Sequence, residues 1–147
     1  MRIRIGYPDL ADEKKVLDRP QSLHPADELD PVLTLQEVLD LQDRVEKIRL
    51  DGSLMEYLLT VVSETRRSDL IALGVSTRGA MALHKAAKAL ALVRDRDYCL
   101  PDDIKDLAPM VLAHRVTLHE GQGTRRHRAE EAEQVVRDIV ESVPVPL

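Results

Sequence analysis

The sequence predicts a mainly α fold, a helical bundle with one short strand at its N-terminus. Apolar residues recur at helical spacing over several long stretches. Most of those stretches open on a side chain suited to cap a helix. The chain has no Trp and no Phe, so Leu, Val, Ile, Ala and Met must fill the core, which suits close helix packing. Its 147 residues allow one domain, or one domain and a small appendage.

Arg2-Ile3-Arg4-Ile5 alternates in the manner of a short strand, which Gly6-Tyr7-Pro8-Asp9 breaks. Asp9 is placed to cap a short helix through about Leu17. The stretch from Asp18 to Leu33 holds Pro20, Pro25 and Pro31 and reads as a linker or ordered loop. Thr34 with Glu37 forms a capping box, in which the hydroxyl takes a free helix amide and the carboxylate reaches back. Leu35, Val38, Leu41 or Gln42, Val45 and Ile48 follow as a stripe, and Asp51-Gly52 is the stop.

Ser53 with Glu56 offers a second capping box. The helix behind it carries Leu54, Leu58, Val61, Val62 and Thr65 on one face, widened by Met55 and Leu59, and belongs at the centre of the bundle. Arg66 and Arg67 lie in its last turn, where the helix dipole favours cations. Ser68 to Gly74 is a connection. Ser76 caps the next helix, about Thr77 to Arg94, with Ala80, Leu83, Ala86, Ala87, Leu90 and Ala91 inward and His84, Lys85, Lys88 and Arg94 on its wet side. The alanines let a neighbouring helix come close.

Pro101 suits the first turn of another helix, with Asp102 and Asp103 at the positive end of its dipole. Ile104, Leu107 and Ala108 face inward, and Pro109 is expected to break or kink the helix, a short turn following to His114. Arg115 to His119 is open between strand and coil, and Glu120 to Thr124 is a loop. A last helix from about Arg128 to Ser142 turns Ala132, Val135, Val136, Ile139 and Val143 inward.

The formal net charge of −5 argues against a general nucleic-acid or anionic-membrane role. No apolar run approaches the roughly 18 residues that span a bilayer. Cys99 stands alone, which excludes an internal disulfide and a cysteine cluster for zinc, and a small packed residue is its expected role. A cytoplasmic protein without membrane insertion fits best. There is no phosphate-cradling Gly-rich loop followed by Lys-Ser/Thr. His24, His84, His114, His119 and His127 are scattered, so no metal site is expected. Arg125-Arg126-His127-Arg128 is the one basic cluster; with no interleaved aromatic and Glu130, Glu131 and Glu133 behind it, an exposed loop outweighs a DNA contact.

Gly74-Val75-Ser76-Thr77-Arg78-Gly79-Ala80 remains. It is a turn, a cap, and then an arginine in the first helical turn, where the dipole opposes a cation. An anion held by the free amides and the guanidinium would remove the conflict. The alternative is a plain surface arginine, or one paired with Asp69.

This heptapeptide resembles the sensor-2 motif of MoxR-type AAA+ ATPases, which reads roughly Gly-Ala-Ser-Pro-Arg-Ala. The Ala-Leu-His-Lys-Ala-Ala-Lys helix after it, Arg96-Asp97-Tyr98-Cys99-Leu100-Pro101-Asp102-Asp103-Ile104, Leu107-Ala108-Pro109, Ala113-His114-Arg115-Val116, Thr65-Arg66 and Ile5-Gly6-Tyr7-Pro8-Asp9 also resemble that family, in order and over nearly the whole chain. The resemblance implies the helical lid of such an ATPase, with residues 1–22 the end of the α/β core and its linker and residues 23–147 the lid. It implies that Arg78 is the sensor-2 arginine that reaches the γ-phosphate, and that Tyr7 and Pro8 lie near the adenine. It further implies ATP and Mg in the full-length protein, with none expected on this chain alone, which would not hydrolyse ATP by itself. The partners implied are the AAA+ core, neighbouring subunits of a hexameric ring, and a client protein that is remodelled. The sequence departs from the motif at Thr77, Gly79 and Leu100: Thr77 replaces Pro, Gly79 weakens the helix start by up to ~1 kcal/mol, and Leu100 stands where a capping Thr is common. A stand-alone helical protein-interaction module without nucleotide is the competing expectation. The strand Arg2 to Ile5, cut from its sheet, should be disordered, cover the lid or pair with another chain.

Overall fold

A computed structural model of the chain describes residues 1–18, 29–119 and 125–146, with side chains in the last stretch from Arg128 onward. The linker prolines Pro20 and Pro25, His24, His127, the boundary expected near residue 22 and the loop from Glu120 to Thr124 lie outside the described residues or side chains.

Among the described residues six helices carry the fold, as the apolar stripes require: α1 (Leu10–Asp18), α2 (Leu35–Lys47), α3 (Gly52–Arg67), α4 (Thr77–Val93), α5 (Pro101–Leu112) and α6 (Arg125–Ser142). A 3₁₀ turn, Ala113–Arg115, extends α5. The two strands are β1 (Ile71–Leu73) and β2 (Thr117–Leu118), which pair antiparallel with an irregular register, Ile71 opposite Leu118 and Leu73 opposite Thr117. They occupy the stretches expected to be a connection and left open, respectively.

The expected N-terminal strand is not formed. Arg2 to Ile5 belongs to no ladder and lies over the bundle: the Arg2 amide donates to the Met110 carbonyl at 2.8 Å, and the Arg4 guanidinium pairs with Glu130 and Glu133 at 3.0 and 3.1 Å. A lone strand has no partner for its amides and carbonyls, so the segment takes those that the α5 and α6 surfaces offer.

Local side chains fix the starts of α1, α2, α3 and α5. The Asp9 carboxylate accepts from the Asp12 amide at 2.8 Å. Thr34 and Glu37 form the reciprocal box at α2. At α3 the cap is Asp51, which accepts from the Ser53 amide at 2.9 Å, so the box expected from Ser53 and Glu56 does not form; Asp51 reaches the first free amides ahead of Ser53. The α5 start is firmer than Leu100 suggested, because the Asp103 carboxylate accepts from the Leu100 amide at 2.8 Å. α5 also runs through Pro109 to Leu112. Pro109 forgoes one helix hydrogen bond, but it is buried with Ala108, Val111 and Leu112, and that packing keeps the helix unbroken. Arg125 to Arg128, expected in a loop, are the first turn of α6.

The core lies among α3, α4, α5 and α6, with Leu58, Val61, Val62, Leu83, Ile104, Leu112 and Val136 fully enclosed. Ala87 and Ala91 are also fully buried, so α4 approaches its neighbours closely. α6 turns Val140 inward as well, and Ile139 packs half-buried against the core. α2 has no buried residue at all; it leans on α4, where the Lys88 ammonium donates to the Glu46 carbonyl at 2.7 Å.

A polar knot joins the loops around α4. Asp95 ends that helix in the left-handed region (φ +55°), and the Arg96 amide returns to the Ala91 carbonyl at 2.9 Å. Arg96 then grips the buried Asp103 carboxylate with both terminal nitrogens, at 2.6 and 2.8 Å, and Arg94 adds a third bond at 3.0 Å. Arg49 pairs with Tyr98 as an isolated parallel bridge, which ties the α2–α3 connection to the α4–α5 connection.

Candidate functional site

The turn between β1 and α4 forms as the sequence motif suggests, and its anchors come from the preceding helix. The Ser76 side chain makes no cap hydrogen bond, although its carbonyl accepts the Gly79 and Ala80 amides at 2.8 and 3.1 Å. The residue before it is fixed instead by the end of α3. Thr65, fully buried, accepts the Val75 amide on its hydroxyl at 3.1 Å and donates that hydroxyl's proton to the Val62 carbonyl at 2.6 Å. Arg66 donates its Nε to the Val75 carbonyl at 2.8 Å. Both backbone groups of Val75 are therefore held by adjacent residues of one helix.

Two glycines make this approach possible. A Cβ on Gly74 would stand 2.7 Å from the Thr65 carbonyl oxygen and from Arg66 Cα, so any side chain there would push the turn off α3. A Cβ on Gly79 would stand 2.5 Å from Val75 Cγ1. Val75 itself is fully buried. Gly79 is thus the space into which Val75 packs, rather than only a weak helix former.

Arg78 sits in the first turn of α4 and is exposed. Among the described residues it makes no hydrogen bond or ion pair, and no ion pair joins it to Asp69, the alternative partner that the sequence offered. Arg66 and Arg115 flank the turn: Arg66 through its bond to Val75, and Arg115 through its Cδ, 3.4 Å from the Cβ position of Gly79. Arg115 spends its Nε on the Val111 carbonyl at 3.0 Å. Beside Arg115, burial and then the guanidinium's charge hold His114 below the usual imidazole range. Two arginines besides Arg78 thus border the turn.

Tyr7 and Pro8 are exposed, Tyr7 at 88%, after Gly6 in a positive-φ turn (+79°). No hydrogen bond brings either of them to Arg78. Cys99 is buried, and burial first, with Asp103 next, pushes its thiol up, which makes it a packed residue and not a ready nucleophile. Among the described residues no helix is long and apolar enough to cross a membrane.

Sequence reasoning placed Thr65 and Arg66 at the end of α3 without their roles. A hydroxyl closing an otherwise apolar stripe was the available signal, because a buried hydroxyl needs partners.

A family model described as the AAA lid domain matches residues 63–139. The uncharacterised protein YeaC of Bacillus subtilis is 41% identical over 146 residues, which are 99% of this chain and 45% of YeaC. Chaperone MoxR1 of Mycobacterium tuberculosis is 30% identical over 156 residues, covering 99% of this chain and 40% of that protein. A crystal structure from Cytophaga hutchinsonii, of a protein provisionally assigned as an ATPase, superposes with a TM-score of 0.77 at 28% identity, covering 100% of this chain and 46% of that one. The chain spans less than half the length of each of these three.

Proposed function

The chain belongs to the AAA lid domain family, in its MoxR-type form, and from that premise we propose that it serves as the nucleotide-sensing lid of an ATPase within a longer protein. Residues 1–22 would close the ATP-binding core and residues 23–147 would form the lid. The observation that carries this reading is Arg78: an exposed cation, unpaired among the described residues, at the end of a helix whose dipole repels it. A phosphate oxygen placed there would meet the guanidinium and the free amides of the first turn together. Its charge would be stabilised most as phosphoryl transfer proceeds, so Arg78 would lower the barrier and report the nucleotide to the lid. Tyr7 and Pro8 would then lie toward the adenine.

ATP carries the phosphoryl group, and the Mg that neutralises its charge when bound would be held outside the lid. Among the described residues no three His, Cys, Asp or Glu side chains gather where they could hold a metal. The rest of the reading follows from the family: a ring of subunits, hexameric in such ATPases, a cytoplasmic setting, and a client protein remodelled at the cost of hydrolysis.

Arg78→Ala in the longer protein tests it. Turnover should fall about a hundredfold to a thousandfold, the range for loss of one preorganised charge donor, with the lid still folded. Unchanged turnover would sink the sensor assignment. This chain alone should bind ATP no better than millimolar, and micromolar affinity would refute the view that most of the site lies elsewhere.

A stand-alone interaction module is the second reading, and α2 favours it. Leu35, Val38 and Leu39 share a side of that helix and are exposed at 77%, 37% and 44%. A longer protein without a phosphate loop ahead of residue 1 would favour this module over the ATPase lid.

A further inference from the structure

We propose that Thr65 and Arg66 are positioning residues for Arg78, acting through the two backbone groups of Val75. The inference rests on the sensor reading for its consequence in catalysis, but its structural half stands apart from that reading.

The starts of α1, α2, α3 and α5 are each fixed by a nearby carboxylate or hydroxyl: Asp9, Thr34 with Glu37, Asp51, and Asp103. α4, the helix that carries Arg78, lacks such a local device, since Ser76 makes no side-chain cap bond. Its start is set instead by three contacts with the end of α3. The Val75 amide is held on Thr65 Oγ1 at 3.1 Å, the Val75 carbonyl on Arg66 Nε at 2.8 Å, and the Gly74 backbone lies directly against Thr65 and Arg66.

Two fixed groups on one residue define its peptide planes, and Arg78 follows three residues later in regular helix. The direction in which the guanidinium leaves the lid is thus inherited from α3. Positioning of this kind matters for an electrostatic role, because a charge displaced by about 1 Å loses much of its effect on a reaction. Thr65 is buried and its hydroxyl is fully used, donating to Val62 and accepting from Val75. Arg66 gives its Nε to the turn, and among the described residues no acidic side chain claims the rest of its guanidinium.

The test has two arms. In this chain, hydrogen exchange and amide chemical shifts are followed at Ser76 to Ala80 in Thr65→Val, Thr65→Ser and Arg66→Met. Thr65→Val and Arg66→Met should accelerate exchange there at least about tenfold while α5 is unchanged; Thr65→Ser, which keeps the hydroxyl, should resemble the parent. If Thr65→Val fails to fold, the exposed Arg66→Met still carries the test. Exchange at the turn unaltered in a folded Arg66→Met or Thr65→Val overturns the inference, whatever the role of Arg78.

In the longer protein, the same two substitutions should lower kcat for ATP hydrolysis several-fold, with KM little changed and Thr65→Ser restoring the rate. On an Arg78→Ala background neither should lower it further. Losses that multiply with that of Arg78→Ala overturn the inference. A loosened turn together with full turnover in Arg78→Ala would remove the sensor reading and leave the anchoring intact.

Discussion

The contact between Val75 and Gly79 predicts a pair of substitutions that harm the chain singly and tolerate each other together. In the MoxR-type motif alanine stands at both positions; here the side-chain carbons are redistributed, with valine at one and none at the other. Gly79→Ala would gain up to ~1 kcal/mol of helix propensity. It would also place a methyl 2.5 Å from Val75 Cγ1, well inside van der Waals contact, and Val75 is fully buried and cannot swing into solvent. Overpacking of this kind costs about 1–3 kcal/mol, so the net effect is a loss of about 0–2 kcal/mol. Val75→Ala removes two buried carbons at ~0.8 kcal/mol each and leaves a void, about 2–3 kcal/mol together. In the double variant the methyl added at position 79 occupies the space that the valine vacates. Its loss should therefore fall short of the sum of the singles by about 1–3 kcal/mol. Urea denaturation of the four proteins, with midpoints compared at constant m, reads this directly. Strict additivity would refute the packing argument, as would a Gly79→Ala variant more stable than the parent by the full propensity gain.

Other consequences follow from the polar contacts. Asp103→Asn leaves Arg96 and Arg94 facing an amide in place of a fully buried carboxylate, and should cost about 2–3 kcal/mol; this lies below the usual figure for breaking a buried pair because both arginines are partly solvated. Thermal or urea unfolding would measure it, and a cost under about 0.5 kcal/mol would count against the network. Asp95→Gly should raise stability by about 0.5–1 kcal/mol in the same assay, since glycine takes the left-handed cap conformation without strain. Acid should weaken the chain in two stages. Burial first, with nearby lysine or arginine charge, lowers the pKa of His84 and of His114, so the unfolded chain takes up protons before the folded one and stability falls as pH drops below about 6.5. Burial alone would raise the Asp103 carboxyl, but its bonds from Arg96 and Leu100 outweigh this and hold it low; its contribution is complete above about 3.8 and vanishes as pH falls through the lower folded value. A stability profile flat from pH 7 to 5 would contradict the first stage.

How far the sequence carries depends on the range of the forces involved. The α3 stripe of Leu54, Leu58, Val61, Val62 and Thr65 is buried as read, because periodic burial is written within one helix. The capping box of Thr34 and Glu37 is equally local. The β1–β2 pair was not legible, since three residues and two residues meet across more than forty positions with no alternation to announce them. The break expected at Pro109 is absent because tertiary packing outweighed its local cost. Asp103 was read only as a charge at a helix dipole, and its burial follows from Arg94 and Arg96 reaching it across a loop. At the candidate site, the odd placement of Arg78 was visible from the dipole alone. The anchoring of Val75 was not, because no rule of spacing links a threonine and an arginine to a backbone ten and nine positions later.

The near absence of buried contacts on α2 gives the chain two stabilities rather than one. Its amides need only a local opening to exchange with deuterium, whereas those of α4, with Leu83, Ala87 and Ala91 sealed in the core, must wait for the whole bundle to come apart. A protease at low dose would meet α2 in its open state far more often than any later helix. Digestion should therefore trim the chain toward a resistant piece that begins near α3, and that piece would keep every anchor of the turn before Arg78.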